Sequence, residues 1–326
     1  MSRAIRSLMV LVLSFSFVSC SQRPVFTVEI IKTLTLPVET PTIASAATTH
    51  PSLPVEPALT ATLPAETPTF VATPTPPQMP SNFSPIMYGK KFDSNTFFIL
   101  LGGLLEGLWV APDLTFANFS YLHGWEYDVY TKAKGKYQVR GDPPEFSPPY
   151  RIYTVSTDAA LDEVGMVAVA EGWPTLQRDV QELEPDHELS RQAVLDWLVA
   201  EDVDEPVLGA LQILRVDIEG DGVDEIFISA THLDESQHMT RQGDYSLVLM
   251  RKVVGNEIVT RSIVGDIYHS AEAQLTYPRS YSLANFLDLN QDGFLEVIID
   301  IQGWEKAGAI VYQIDGEDVI ETLRVE

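Results

Sequence analysis

The segment VDIEGDGVDEI at residues 216–226 recurs as LDLNQDGFLEV at residues 287–297. Both copies read D-x-[E/N]-x-D-G-x-x-E, and apolar residues flank each of them. Oxygen-bearing side chains at alternate positions of a tight loop can converge on one point, and glycine at the sixth position permits the turn that brings later ligands around. Calcium takes about six to eight such oxygens. The repeat therefore predicts up to two calcium ions, one in each loop.

Each loop offers the same kinds of ligand at the same positions. Side chains at the first, third, fifth and ninth positions and the backbone carbonyl at the seventh supply oxygens, and water completes the shell. The first loop offers Asp217, Glu219, Asp221, Val223 and Glu225, and the second offers Asp288, Asn290, Asp292, Phe294 and Glu296. One such run also arises as an acidic turn without metal, because Asp, Asn and Gly suit turn geometry. Two copies in equivalent strand contexts favour calcium.

The residues after each loop predict antiparallel strands. An EF-hand carries a bidentate glutamate at its twelfth position, whereas these loops have Ile228 and Ile299 there, so neither is an EF-hand. Each loop is followed instead by a strand, a second apolar strand, a turn and a closing strand. The first copy places these at residues 226–228, 246–250, 255–256 and 258–263, and the second at 297–299, 309–314, 315–316 and 319–325.

Loops of this kind, entered by one strand and left by another, resemble the FG-GAP and VCBS-type repeats of extracellular proteins. The resemblance covers residues 210–326, about a third of the chain. It implies two antiparallel four-stranded units that are similar to propeller blades, with calcium held in the acidic loops. Two blades cannot close a ring, so a compact two-unit assembly is expected. The second loop matches the family pattern better, because Glu219 is longer than the usual Asp or Asn.

The rest of the C-terminal region also predicts a mainly β fold of the α+β class. Strand-like runs occupy a β-rich domain at residues 81–185, and an apolar run at 97–110 indicates a buried strand or a short helix. One amphipathic helix is predicted over 187–203, with Trp197 on its apolar face. A second domain, residues 186–326, therefore combines this helix with the two repeats. The strand-like runs of the first domain are residues 125–131, 136–140, 151–155 and 165–170.

The N-terminus predicts export. Residues 1–19 combine Arg3 and Arg6 with an uncharged run, as in a signal peptide, and the run is too short to span a bilayer. Residues 17–20, FVSC, resemble the bacterial lipobox, which implies that Cys20 is lipidated and that the mature N-terminal segment is residues 20–32. Cys20 is the one cysteine of the chain, which favours lipidation. A plain signal peptide with an incidental cysteine and an uncleaved helical anchor are the alternatives.

Residues 33–80 are built from Thr, Pro, Ala, Val and Leu, the composition of a disordered stalk. Extended at about 3.1 Å per residue, the stalk would hold the next domain on the order of 100 Å from a membrane. Acidic and basic residues cancel within residues 1–80, so the whole formal charge of −25 belongs to residues 81–326. Such a region repels phosphate backbones, which excludes nucleic acid as a partner and favours divalent cations.

Other chemistry has weaker support in the sequence. Motifs of serine hydrolases and of nucleotide-binding loops are absent from it. His232 and His238 lie in a polar segment that predicts an exposed loop rather than a metal site. A carbohydrate-binding platform could be formed by aromatic residues, namely Trp109, Tyr121, Trp125, Tyr127 and Tyr130. Alternation along residues 125–130 places Trp125 and Tyr127 on one strand face, which favours a core stripe instead. A catalytic carboxylate pair could lie among Glu106, Glu126, Asp128, Glu145 and Glu171.

Together these patterns predict an exported bacterial lipoprotein, anchored by its lipid at the cell surface or at a periplasm-facing membrane. Its repeat domain is interpreted as a calcium-binding module with a structural, adhesive or ligand-binding role, and catalysis is not indicated. A surface glycan or a protein is a further candidate partner. The rival interpretation is a secreted hydrolase of glycans or cell wall that uses a carboxylate pair. A solute-binding lipoprotein fits poorly, because the strands do not alternate with helices.

Overall fold

A computed structural model describes residues 11–12, 29–30, 81–92, 95–119, 125–133, 135–148, 150–159, 161, 163–233, 239–269, 277–304 and 306–326. The chain divides into two compact units, Met1–Phe70 and Val71–Glu326. In the first unit, β1 (Leu11–Val12) pairs antiparallel with β2 (Glu29–Ile30). Cys20 and the predicted stalk lie outside the described residues. Within the described ranges, no helix has both the length and the apolar character needed to cross a membrane.

The second unit begins with an eight-stranded antiparallel sheet. Its strands run in the order β7-β6-β10-β3-β4-β9-β8, and β5 pairs with β4 beside this path. A short helix, α1, follows β5. The elements are β3 (Phe83–Phe92), β4 (Asn95–Leu105), β5 (Leu108–Val110), α1 (Pro112–Phe119), β6 (Trp125–Tyr130), β7 (Lys136–Gly141), β8 (Glu145–Ser147), β9 (Ile152–Ser156) and β10 (Val167–Ala170).

Two further antiparallel sheets form the repeat region. The first is five-stranded, in the order β11-β12-β13-β14-β15, and the second is four-stranded, in the order β16-β17-β18-β19. We call β12–β15 the first repeat unit and β16–β19 the second. The elements are β11 (Gln181–Leu183), α2 (Glu188–Ala200), β12 (Ala210–Val216), β13 (Glu225–His232), β14 (Tyr245–Val254), β15 (Glu257–Ile267), β16 (Arg279–Leu287), β17 (Glu296–Gly303), β18 (Lys306–Asp315) and β19 (Asp318–Val325).

The predicted mainly β fold with two antiparallel four-stranded units is confirmed. The apolar run at residues 97–110 forms strands β4 and β5 rather than a helix. Helix α2 lies within the predicted range and buries Val194 and Leu198, and Trp197 is partly buried against the same apolar cluster. Helix α1 was not predicted. The sequence contains a local signal for this helix, because proline is favoured at the first helical position and aspartate in the first turn, where Pro112 and Asp113 lie.

A shared apolar core joins the eight-stranded sheet to the second repeat unit. Ile86 and Leu101 of the sheet lie in one buried cluster with Leu287, Ile298 and Val311 of the second unit. Burial of this apolar surface from water is the main stabilising contribution at such a contact. The packing therefore places the second repeat unit directly against the sheet.

A polar contact accompanies that core. The carboxylate of Asp300, on β17, pairs with the Lys90 ammonium on β3 and accepts a hydrogen bond from the Tyr88 hydroxyl. Burial raises the pKa of Asp300, and the positive charge of Lys90 opposes that rise. Buried charges of this kind are tolerated where they are paired and hydrogen-bonded. The pair thus orients the second repeat unit on the sheet.

The two repeat units pack on each other through a second cluster. Phe227 of β13 and Phe286 of β16 are fully buried, with ring centroids 4.9 Å apart and planes tilted by 58°. A hydrogen bond of 2.7 Å from the Ser229 hydroxyl to the Tyr281 carbonyl links the same strands. The first strand of the second unit therefore lies across the first unit, which brings the two acidic loops near each other.

Candidate metal centre

The two acidic loops occupy the same place in the two repeat units. The first connects β12 to β13, and the second connects β16 to β17. The residues that flank each loop pair in the same way. Val216 pairs with Glu225 in the first unit, and Leu287 pairs with Glu296 in the second. The ninth-position glutamate of each motif is therefore the first residue of a strand, and it is buried in both units.

The first aspartate of each motif holds the loop backbone in shape. In the second loop, Asp288 Oδ1 accepts a hydrogen bond of 2.6 Å from the Gln291 amide, and Oδ2 accepts one of 3.0 Å from the Gly293 amide. The first loop repeats these bonds at equivalent positions. The Gly220 amide donates to Asp217 Oδ1 at 2.5 Å, and the Gly222 amide donates to Asp217 Oδ2 at 2.9 Å.

The fifth and ninth positions add two more backbone contacts. Asp292 Oδ1 accepts a hydrogen bond of 2.8 Å from the Phe294 amide, and Glu296 Oε2 accepts one of 2.7 Å from the Leu289 amide. The same bonds recur in the first loop, to Asp221 from Val223 at 2.8 Å and to Glu225 from Ile218 at 3.0 Å. The motif thus encodes a hydrogen-bonded loop, which explains why both copies adopt one conformation.

Two backbone positions of each loop require left-handed torsions. The sixth-position glycines, Gly222 and Gly293, have φ of 86° and 89°, as their role in the predicted turn demands. The fourth position is also left-handed, with φ of 74° at Gly220 and 68° at Gln291. A side chain at such a torsion costs conformational energy, so the bond from Gln291 to Asp288 helps to hold it.

Glu296 is the most unusual titratable group of the second loop. Its side chain is 0 % exposed, and Oε1 is a buried atom that has no hydrogen-bond partner in the described structure. Burial raises the pKa of Glu296 to about 8, and the negative charges of Asp292 and Asp288 add to the rise, against the backbone bond from Leu289. A buried carboxylate oxygen among two other carboxylates creates a strong local demand for a cation.

In the first loop, a lysine side chain supplies positive charge beside the carboxylates. The buried Lys252 of β14 forms an ion pair with Glu219 and donates a hydrogen bond of 3.1 Å to the Gly316 carbonyl. Burial raises the pKa of Glu225 to about 7, with the charge of Glu219 contributing, while the charge of Lys252 lowers it. Lys252 was missed by sequence reasoning, because only the pairing of β13 with β14 brings it to the loop.

The second loop has a neutral amide at its side. Gln313 Nε2 donates to Asp292 Oδ2 at 3.1 Å, and Asn290 Nδ2 donates to the same oxygen at 2.9 Å. Across the described ranges, no lysine or arginine forms an ion pair with Asp288, Asp292 or Glu296. The carboxylates of this loop are therefore not paired with a basic side chain among the described residues.

A segment that precedes α2 connects the two loops. The Arg178 guanidinium donates 2.6 Å to the Ile218 carbonyl of the first loop and 2.7 Å to the Gly293 carbonyl of the second. The Leu295 amide donates to the same Ile218 carbonyl at 2.9 Å. Trp173 also reaches the second loop, with its indole N–H 2.8 Å from the Leu289 carbonyl. Arg178 and Leu295 therefore link the backbones of the two loops by hydrogen bonds.

The fit to calcium rests on the donor set of the second loop. This loop carries the side-chain oxygens of Asp288, Asn290, Asp292 and Glu296 and the carbonyl of Phe294, and one buried carboxylate oxygen, Glu296 Oε1, has no hydrogen-bond partner among the described residues. Within the part of the chain that the structure describes, no three His, Cys, Asp or Glu side chains converge closely enough to hold a metal by themselves. Binding would therefore need the amide, the carbonyl and water as well.

The candidate catalytic carboxylates occupy other environments. Asp128 is buried, with Oδ2 3.0 Å from Lys136 Nζ and 2.8 Å from the Gly172 amide. The other four candidates are exposed, namely Glu106, Glu126, Glu145 and Glu171. A surface cavity is lined instead by Asp113, Arg151, Tyr153, Arg324 and Glu326, together with apolar neighbours. None of these observations favours a catalytic pair.

The remaining sequence candidates are placed as follows. Trp125 and Tyr127 are buried in the core of the eight-stranded sheet, as the alternation predicted. Tyr130 is buried and Trp109 is partly buried in the core shared with the second repeat unit. His232 stacks on Tyr245, with ring centroids 5.9 Å apart. Two candidates, His238 and Tyr121, lie outside the described residues.

Comparison with protein-family models, with curated proteins and with solved structures found no match to this chain.

Proposed function

We propose that this protein is a lipid-anchored, extracytoplasmic calcium-binding module with a structural, adhesive or ligand-binding role, and that the second acidic loop is its principal calcium site. The observation that carries the proposal is the burial of the Glu296 carboxyl group, whose Oε1 has no hydrogen-bond partner among the described residues and whose neighbours Asp288 and Asp292 are also acidic. A divalent cation removes this electrostatic conflict. The oxygen donors of the loop are the type that calcium prefers.

When bound, calcium supplies positive charge at the loop, and the residues of the chain do the rest. Asp288, Asn290, Asp292 and Glu296 would hold the ion with the Phe294 carbonyl and water. The backbone bonds to Asp288 and Glu296 orient these carboxylates in advance, which lowers the entropy lost on binding. Because Arg178 and Leu295 join the loops, the ion would stiffen the junction of the two repeat units.

Calcium is expected to raise the melting temperature of residues 81–326. A ligand at about 100 times its Kd adds about 2.7 kcal/mol, which for a unit of this size shifts Tm by roughly 5–10 °C. Replacing Asp288→Ala together with Asp292→Ala should abolish the shift in scanning calorimetry. The control pair Glu201→Ala with Asp204→Ala removes the same charge from exposed positions and should retain it. Equal melting curves of the wild-type protein with calcium and with chelator would contradict calcium binding.

Lipid attachment at Cys20 is expected to be visible by metabolic labelling. In a bacterial host, radiolabelled palmitate should mark the wild-type protein and should not mark Cys20→Ser, since the thiol is the acceptor. Ser21→Ala is the matched control and should be labelled normally. Equal labelling of Cys20→Ser and the wild-type protein would reduce the N-terminal prediction to simple secretion.

A further inference from the structure

The strand pairing identifies one pair of equivalent positions at which the two loops differ in charge. In the first unit, Ile226 pairs with Arg251, so the adjacent Glu225 lies beside Lys252 across the strands. In the second unit, Val297 pairs with Tyr312, so Glu296 lies beside Gln313. Each loop therefore has its ninth-position glutamate next to one residue of the third strand, and that residue is cationic in one unit and neutral in the other.

The Lys252 ammonium lies against one of the candidate calcium ligands of the first loop. Its side chain is 9 % exposed, it pairs with the third-position Glu219, and it donates to the Gly316 carbonyl. A third-position side chain is one of the candidate ligands, so Lys252 consumes a ligand as well as adding positive charge. A divalent cation placed there would be repelled by the ammonium across a poorly screened, partly buried distance.

Gln313, at the equivalent position beside the second loop, adds no positive charge to that loop. Its amide holds Asp292 through a 3.1 Å hydrogen bond without adding charge. Among the described residues, Asp288, Asp292 and Glu296 therefore form no ion pair with a lysine or arginine, and Glu296 Oε1 is buried without a hydrogen-bond partner. That orphaned oxygen points to a ligand independently of the acidic composition of the loop, because buried polar atoms are nearly always hydrogen-bonded.

We propose that Lys252 is the built-in cation of the first loop, and that the protein consequently binds one calcium ion, in the second loop, with Gln313 permitting it. This proposal rests on the proposed calcium binding. It assigns different roles to two loops with the same motif. The first is a structural loop in which a lysine already pairs with a candidate ligand, and the second responds to calcium. The residue that decides between the two roles lies on the third strand of each unit, outside the motif itself.

An exchange of the two residues tests the proposal. Calcium binding to residues 81–326 is measured by isothermal titration calorimetry, with circular dichroism as a check of folding. The wild-type protein should bind one ion per chain. Gln313→Lys should weaken that binding by about tenfold or more, because it places an ammonium beside Glu296. Lys252→Gln should add a second, weaker site. Arg261→Gln, which removes a positive charge from an exposed ion pair with Glu317, should leave one site.

Each result either supports or overturns the assignment of one calcium ion to the second loop. Two ions bound by the wild-type protein would overturn the role of Lys252 and leave calcium binding intact. No ion bound by the wild-type protein would overturn the proposed function itself. Unchanged affinity in Gln313→Lys would overturn the proposal even if Lys252→Gln failed to fold, since the two variants act on different loops. Lys252→Arg, which keeps the charge, should bind one ion like the wild-type protein.

Discussion

Glu296→Gln is expected to make the calcium-free protein more stable at pH 8 and to remove its stabilisation by calcium. Burial of the wild-type carboxyl group raises its pKa from 4.5 to about 8, and its Oε1 has no hydrogen-bond partner among the described residues. Glutamine has the same shape, and its oxygen can still accept the hydrogen bond from Leu289. Removing the buried charge should add on the order of a few kcal/mol to the free energy of unfolding, since one pKa unit corresponds to about 1.4 kcal/mol.

The direction of the pH dependence follows from the same shift. Between pH 4.5 and about 8 the folded protein retains a proton on Glu296 that the unfolded chain releases. The folded state then binds more protons, so the contribution of this group to stability falls as pH rises through that range. Urea unfolding in chelator should therefore show that Glu296→Gln stabilises strongly at pH 8 and little at pH 4.

Glu225→Gln is the matched control for the calcium response. Glu225 occupies the equivalent position in the first loop and accepts the equivalent backbone bond from Ile218. Because Lys252 already pairs with a candidate ligand of that loop, this variant should keep the calcium-induced rise in Tm. If Glu296→Gln showed the full rise in Tm with calcium, Glu296 would not be a ligand and the second loop would lose its role as the site.

Phe286→Ala is expected to lower the free energy of unfolding by about 3–5 kcal/mol, the range for removal of a large aromatic side chain from a packed core. Phe286 is 0 % exposed and contacts Phe227 across the junction of the two repeat units. The same cluster contains apolar residues from both units, so the vacated volume cannot be filled by a small local movement. Urea denaturation followed by tryptophan fluorescence measures the loss.

Ile320→Ala is the control for this substitution, because Ile320 lies in the same repeat unit and is 45 % exposed. Its cost should stay below about 1 kcal/mol. Since the sheet and both repeat units share buried clusters, Phe286→Ala should also shift the whole transition to lower urea without splitting it. A separate early transition for one repeat unit would show that the units fold independently and would contradict the coupling inferred from the core.

The two acidic loops show how far local sequence can predict a site. Asp288 and Gly293 form a hydrogen bond within one loop, so their spacing was sufficient to predict the turn. Lys252 and Arg178 were not predicted, because they reach the loops from other parts of the chain. Arg178 bonds to residues 40 and 115 positions away. A side chain brought in by tertiary packing leaves no periodic signal near the motif.

Local sequence patterns were sufficient to predict the two antiparallel repeat units, because alternating apolar residues, turn glycines and Asp-to-backbone bonds are all short-range features. The acidic charge of the region and the set of candidate calcium ligands could also be read from the sequence. The folded structure was needed to show which of two nearly identical loops has a lysine paired with a candidate ligand. That difference depends on whether Lys252 or Gln313 lies beside the ninth-position glutamate, and the pairing of separate strands decides it. Electrostatic interactions act through space, so the charge balance of a loop belongs to the fold around it.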